Sequence, residues 1–137
     1  MGRRAGSGMS FFGLKAREKS QSSKTGSLGE ERAQGYLQNK GLKLVTRNFG
    51  CRWGELDLIM RDDGTLVIVE VRVRSSAEYG LAHETVNRKK QLKIIKATKF
   101  YIQQENWSGD VRFDVVAVVP TGNDQFTIEH IKDAFSA

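Results

Sequence analysis

The chain contains few cysteines and histidines and no long apolar run, and each shortage excludes a class of protein. With one cysteine, Cys51, it cannot form an internal disulfide, so a reducing cytoplasm is the simplest setting. One cysteine and two well-separated histidines also fit a zinc site poorly. No apolar run reaches the roughly 18 residues of a membrane-spanning helix, and the N-terminus shows no signal-peptide pattern. We therefore expect a cytoplasmic protein that does not bind membranes.

The net charge of +6 is concentrated at the N-terminus. Residues 1–25 contain six basic residues and one acid, so the rest of the chain sums to +1. This segment is rich in Gly and Ser and has little periodic hydrophobicity, which predicts a disordered basic tail, either solvated or in contact with phosphate. Residues 26–137 then form one domain, long enough for a core without disulfides or structural metals.

Residues 54–72 contain two apolar runs separated by the pair Asp63-Gly64. Asp-Gly between strand-like runs predicts a β-hairpin with a type I′ turn, which needs positive φ at both central residues. Counting outward from a two-residue turn places Asp57 opposite Glu70. The hairpin therefore predicts two acids side by side.

Like charges on opposed strand residues destabilise a hairpin, and a metal ion would relieve the repulsion between Asp57 and Glu70. An ionised carboxylate among apolar residues costs several kcal/mol unless it is paired, protonated or bound to a cation. Hard divalent ions such as Mg²⁺ bind carboxylate oxygens, so we interpret the hairpin as a metal site. A three-residue turn or a bulge would instead shift the register by one and place the acids on opposite faces.

Apolar periodicity predicts one helix before the hairpin and one after it. Residues 28–40 carry a partial apolar stripe, with Ser27 as the N-cap and Gly41 just beyond the C-terminal end. Residues 87–105 form the clearer helix, with Asn87 as the N-cap. Further strands are predicted at residues 42–47, 112–119 and 126–131, with 66–73 as a central strand parallel to 112–119.

The second predicted helix has one apolar face and one basic face without acids. The basic residues are Arg88, Lys89, Lys93, Lys96 and Lys99. A basic stripe suits phosphate contacts, although a solvated helix face also explains it. Gln91 lies on the buried face, where its amide needs a partner: a site group, a bound phosphate or a cap. Lys90, at the edge of that face, can extend toward the same place.

Three other polar residues receive structural interpretations. Asp114 interrupts an apolar strand, so we expect it to pair with Arg112 or another nearby basic residue. His130 is expected on the exposed face of the last strand, and His83 on the surface of the loop after the hairpin.

Four motifs together resemble the bacterial YraN family over roughly residues 26–135. They are Gly-Glu-x-Asp-Leu-Ile, Val-Glu-Val-Arg-x-Arg, Lys-Gln-x-x-x-Ile and Arg-Phe-Asp-Val-Val, at residues 54–59, 69–74, 90–95 and 112–116. That family resembles the restriction-endonuclease-like superfamily, and most of all the archaeal Holliday-junction resolvases. The resemblance implies an α/β fold with a mixed sheet of about five strands flanked by helices. It also implies a metal-dependent endonuclease that hydrolyses phosphodiester bonds in structured or branched DNA.

Carried over motif by motif, the resemblance implies a catalytic set of Glu30, Asp57, Glu70, Arg72 and Gln91. Asp57, Glu70 and the backbone carbonyl of Val71 would bind Mg²⁺ or Mn²⁺. The nucleic-acid contacts would come from Arg88, Lys89, Lys90, Lys93 and Lys96.

Arg72 departs from the pattern, because the related nucleases carry lysine at this position. Arginine stays protonated in proteins and cannot act as a base. It can still hold a phosphate oxygen bidentately, or pair with Glu55 across the hairpin.

Three hypotheses therefore remain open from the sequence. The chain is a nuclease, a binding module of the same fold that holds branched or structured nucleic acid without efficient cleavage, or a scaffold whose acids are structural. The expected partner is nucleic acid, with DNA favoured. Resolvase-like action would require a symmetric homodimer.

Overall fold

The computed structural model describes residues 21–74 and 86–137, with side chains from residue 28 onward. Most of the predicted tail at residues 1–25 lies outside this range, as does His83 with its loop, so both stay predictions.

The fold is α/β, with a mixed five-stranded sheet, as predicted. The strand order is β1-β2-β3-β4-β5, with β3 and β4 parallel and every other neighbouring pair antiparallel. In chain order the elements are α1 (Gln21–Asn39), β1 (Lys43–Cys51), β2 (Gly54–Asp62), β3 (Thr65–Val73), α2 (Arg88–Glu105), β4 (Asp110–Gly122) and β5 (Gln125–Phe135).

The helix ends follow local capping chemistry, with one correction. Helix α1 begins at Gln21, so Ser27 lies inside it and the predicted N-cap is wrong. At its other end Gly41 has a φ of 102° and donates its N–H to Gln38 O, which confirms its predicted position beyond the helix. In α2, the Asn87 side chain accepts the Lys90 N–H at 2.9 Å, as predicted for an N-cap.

The β2–β3 turn has two residues, as predicted, and Ile59 pairs with Ile68. Asp63 has a φ of 55°, whereas Gly64 is not among the residues with positive φ. The turn therefore departs from the predicted type I′ at its second residue. The register is unaffected, because it depends on the number of turn residues.

Each face of the sheet is covered by one helix, and β3 contributes to both cores. Ile68 lies in the cluster with Ile94 and Ile95 of α2, while Val67 lies in the cluster with Leu37 of α1. Fully burying one such side chain contributes about 1.5–3 kcal/mol. The two faces predicted for α2 are confirmed, because its basic residues Arg88, Lys89, Lys93, Lys96 and Lys99 are exposed.

The strands are longer than predicted, most clearly in β1. It continues to Cys51 through a stretch predicted as a loop from Asn48 onward. Asn and Gly disfavour strands, but pairing with β2 overrides that local preference here.

A buried ionic network joins β4 and β5. Asp114, which is fully buried, accepts two hydrogen bonds from Arg112, at 2.9 and 3.0 Å, as predicted. It also accepts the Asp133 N–H at 2.9 Å, where a bulge interrupts the β4–β5 ladder. His130 Nε2 lies 2.8 Å from Asp114, and the His130 side chain is only 4% exposed. The predicted exposed position of His130 is therefore wrong.

This network lowers the pKa of the Asp114 carboxyl to about 2 despite the opposing effect of burial. The hydrogen bonds from His130, Arg112 and the Asp133 N–H stabilise the ionised form. Lys40 Nζ lies 2.9 Å from His130 Nδ1, so Lys40 links α1 to the same network. An ammonium donor there requires an unprotonated Nδ1, which leaves the Nε2–H to donate to Asp114.

Candidate active site

The β2–β3 ladder ends just before the two predicted acids. Its last Cα pair is Leu58 with Val69, so Asp57 and Glu70 lie one step beyond it. In place of a backbone carbonyl, Asp57 Oδ2 accepts the N–H of Val71 at 2.8 Å. The β2–β3 pairing therefore stops at the acids, although both strands continue, and the Asp57 carboxylate is inserted between them in place of the directly opposed pair predicted by counting.

The environment of Asp57 opposes its ionisation. Burial is the largest cause that raises its pKa well above the usual value, followed by the negative charge of Glu70. The charges of Glu30 and Glu55 raise it further, while the hydrogen bond from the Val71 N–H lowers it. Asp57 thus lies in negative potential, which a bound cation would relieve.

Glu70 is buried but has cationic neighbours. Its residue is 6% exposed, and its Oε2 lies 3.2 Å from Arg72 Nη1 and 3.9 Å from Lys90 Nζ. Arg72 comes from β3 and Lys90 from the first turn of α2. Two of the cations predicted to contact phosphate, Arg72 and Lys90, therefore lie beside the predicted metal ligand.

Glu30 approaches from the other helix. It lies on α1, and its Oε1 accepts a hydrogen bond from Asn48 Nδ2 at 2.9 Å. The charge of Glu30 also contributes to the raised pKa of Asp57. Asn48 is a positioning residue that the sequence did not single out, since it lay in a predicted loop.

Gln91 has local partners at the start of α2. Its Nε2 donates to Val86 O at 3.0 Å, and its Oε1 accepts from Arg88 Nη1 at 2.8 Å. Neither partner is a backbone N–H of α2, so these contacts satisfy the amide without the predicted capping interaction. Arg88 is also within 3.3 Å of Ser136 O, which ties it to the C-terminal end of the chain.

The donor chemistry fits a hard divalent cation. Two carboxylates, Asp57 and Glu70, together with the main-chain oxygen of Val71, would provide only oxygen ligands, as Mg²⁺ and Mn²⁺ prefer. Within residues 28–74 and 86–137, no group of three or more His, Cys, Asp or Glu side chains is close enough to hold a metal. A bound ion would therefore take its remaining ligands from water or substrate, as Mg²⁺ commonly does.

The five predicted nucleic-acid contacts separate into two groups. Arg88 and Lys90 contact neighbours in the fold, as described above. Lys89, Lys93 and Lys96 are exposed on the outer face of α2. Lys96 Nζ also lies 5.2 Å from the ring centre of Trp53, an aromatic residue that the sequence did not single out.

Comparison with known proteins shows the family of this chain. A model of "Uncharacterised protein family UPF0102" matches residues 29–118. The chain belongs to this family. The match includes Glu30, both β2–β3 acids and the start of α2, so the candidate site lies within the family region.

Relatives in the family cover most of the chain. A UPF0102 protein of Persephonella marina is 45% identical over 111 residues, which is 80% of this chain and 91% of that protein. A UPF0102 protein of Syntrophus aciditrophicus is 46% identical over 118 residues, covering 84% and 91%. The UPF0102 protein YraN of Escherichia coli is 46% identical over 115 residues, covering 82% and 84%. The predicted resemblance to YraN is therefore confirmed.

Neither of the two described helices is long and apolar enough to span a bilayer.

Proposed function

We propose that this chain is a Mg²⁺- or Mn²⁺-dependent endonuclease that hydrolyses phosphodiester bonds in structured or branched DNA. The observation that carries the proposal is the half-buried Asp57 carboxylate at the end of the β2–β3 ladder, whose pKa is raised by desolvation and by the nearby charge of Glu70. Because the site disfavours the ionised form of Asp57, binding of a cation there would stabilise the folded protein.

Asp57, Glu70 and the Val71 carbonyl would hold the ion. When bound, the ion lowers the pKa of a coordinated water and neutralises charge on the scissile phosphate. Asp57 is held toward the site by the Val71 N–H, so its orientation is set before any ion binds.

Arg72 and Lys90 are the cations closest to the predicted ligand, and we assign them to the phosphate. Both now pair with Glu70, at 3.2 and 3.9 Å. A metal ion on Glu70 would compete for that carboxylate and leave the two cations available for phosphate oxygens. Arg72 suits this role because its guanidinium donates two parallel hydrogen bonds.

Glu30 is assigned to the attacking water, as an outer ligand or as the base that accepts its proton. Its hydrogen bond from Asn48 fixes one carboxylate oxygen on the α1 side of the site. Arg72 cannot take the base role, because it stays protonated.

A second candidate function is binding without efficient cleavage. The observation that favours it is Arg72, which stands where the resemblance expects lysine and is paired with Glu70. In this alternative Lys89, Lys93 and Lys96 hold the phosphate backbone and the acids do no chemistry.

A cleavage screen tests the proposal and separates the two functions. Branched, single-stranded and duplex DNA, and RNA, are incubated with Mg²⁺ or Mn²⁺ and the wild-type chain, Asp57→Asn or Glu70→Gln. Asp63→Asn and Glu129→Gln are matched controls, because they make the same changes at exposed positions. Metal-dependent cleavage that both site variants lose and both controls keep supports the nuclease. Binding without cleavage in either metal supports the second function. The absence of both binding and cleavage would overturn both functions.

A further inference from the structure

We infer that Trp53 and the outer face of α2 bind unpaired nucleotides of a nucleic acid. This inference rests on the proposed function and names the kind of strand that the site takes. We call the surface the Trp53 platform; its residues are Arg52, Trp53, Leu92, Lys96 and Phe100.

Trp53 is a large aromatic side chain left partly in solvent. It lies in the two-residue connection between β1 and β2 and is 40% exposed. The Arg52 guanidinium lies 5.0 Å from its ring centre, and the Lys96 ammonium 5.2 Å. An exposed aromatic ring beside two cations is the combination that binds a base and its phosphates together.

The neighbouring turn of α2 extends this surface. Leu92, Lys96 and Phe100 are spaced by four residues and therefore share one helix face. Leu92 is 46% exposed and Phe100 39% exposed. The ring centres of Phe100 and Phe49, a residue of β1, are 6.2 Å apart, so this helix face lies beside β1.

The charge of the surface selects nucleic acid over a second copy of the chain. The exposed basic residues of α2 have no acid beside them on the helix before Glu105. A symmetric contact between two copies would place this basic face against itself, which is repulsive. A phosphate backbone has the opposite charge.

The aromatic ring selects unpaired bases over a duplex. A base can stack on a side chain only if its own face is open, and duplex stacking covers those faces. Cation–π contacts at exposed sites are weaker than base–aromatic stacking, so a base can replace either cation on the ring. The displaced Arg52 or Lys96 then remains beside the strand's phosphates.

The platform lies close to the candidate active site along the same helix. Lys90, which contacts Glu70, and Lys96, which contacts Trp53, are about 9 Å apart along the helix axis. Residues six apart are also about 120° apart around the helix, so a strand stacked on Trp53 would have to pass around α2 to reach the acids.

Tryptophan fluorescence tests the inference, because the chain has two tryptophans and only one is in the platform. Trp107 is the matched control: Arg61 lies 5.3 Å from its ring centre, and its indole N–H donates to Asp110 O at 3.0 Å. Trp107→Phe leaves Trp53 as the reporter, and Trp53→Phe leaves Trp107. Both variants are titrated in EDTA, which prevents cleavage, with a 12-nucleotide single strand and with the same sequence as a duplex.

We expect the single strand to quench Trp53 but not Trp107, and the duplex to quench neither. We also expect Trp53→Ala to weaken single-strand binding about tenfold or more, with Trp53→Phe retaining part of the affinity and duplex binding unchanged. Equal quenching by duplex, or unchanged affinity in Trp53→Ala, would overturn the inference. So would a concentration-dependent dimer that Trp53→Ala abolishes, because a second copy would then occupy the surface.

The failures of the two proposals are distinguishable. Cleavage in the screen above together with no role for Trp53 overturns the platform alone. Stacking on Trp53 together with no cleavage in either metal overturns the nuclease and leaves the platform standing.

Discussion

Asp57 and Asp114 occupy equivalent local positions in two parts of the sheet, yet their pKa values move in opposite directions. Each carboxylate accepts a strand N–H where a β-ladder is interrupted: Val71 N–H for Asp57 and Asp133 N–H for Asp114. Both also lose hydration through burial. Asp114 has an arginine and a histidine against it, and its pKa falls to about 2. Asp57 has Glu70 as its strongest charged influence, and its pKa rises.

The difference shows that burial of an acid does not by itself indicate function. At Asp114 the protein supplies the positive charge, so the acid joins β4, β5 and α1. At Asp57 desolvation and the charges of Glu70, Glu30 and Glu55 all raise the pKa, so ionisation costs stability that a bound cation would offset. This contrast is the reason that we propose a functional role for Asp57 and a structural role for Asp114.

The largest expected effect is on stability at Asp114. Asp114→Asn removes the fully buried one of the two carboxylates that pair with Arg112, which is only 15% exposed and also lies 3.2 Å from Asp62. Loss of one partner of a buried pair costs about 3–5 kcal/mol. Urea denaturation should show that loss, while the exposed control Asp63→Asn should change the free energy of unfolding by less than about 0.5 kcal/mol. Equal effects of the two variants would contradict the structural role.

In metal-free buffer, the same substitution at Asp57 should raise the free energy of unfolding, whereas Asp114→Asn lowers it. Asp57→Asn keeps an acceptor for the Val71 N–H and removes a charge that the folded state disfavours. We expect the free energy of unfolding in EDTA at pH 7 to rise, because the raised pKa of Asp57 means that the folded state disfavours the charge that the variant removes. A loss of stability would mean that the ionised carboxylate is already compensated within the protein.

The pH dependence of stability should separate the two acids. A raised pKa means that the folded state binds the Asp57 proton more tightly, so stability falls as pH rises from about 4 through the folded pKa. The lowered pKa of Asp114 means that stability is lost as pH falls from about 4 toward 2. Melting curves in EDTA should show both losses in the wild-type chain and only the acid-side loss in Asp57→Asn. Parallel curves for the two proteins would contradict the shift at Asp57.

The smallest effect concerns Glu30, whose charge influences Asp57 less than Glu70 does. Glu30→Gln keeps an acceptor for Asn48 and should weaken Mn²⁺ binding by less than about tenfold, or less than about 1.4 kcal/mol. Glu31→Gln, at the adjacent exposed position of α1, should leave binding unchanged. A loss as large as that of Asp57→Asn would make Glu30 a direct ligand.

Local sequence signals predicted much of the difference between Asp57 and Asp114. The Asp63-Gly64 pair fixed the number of turn residues and hence the β2–β3 register. Counting could not show that the ladder ends before Asp57, because that depends on the carboxylate capturing the Val71 N–H. Nor could it place Glu30 near the site, because this depends on how α1 packs against the sheet.

The His130 error was avoidable from the sequence. Phe126, Ile128 and His130 alternate along β5, so they share one face of the strand. Phe126 and Ile128 pack against the α1-side core, and His130 follows them inward to Asp114. The alternation predicted burial, whereas the polarity of the imidazole suggested exposure.

Calorimetric titration of the metal-free chain with Mn²⁺ tests the central claim most directly. We expect a saturable site in the wild-type chain and in Asp63→Asn, and loss of that site in Asp57→Asn. No binding to the wild-type chain, or equal binding to Asp57→Asn, would contradict the claim that these acids form a cation site.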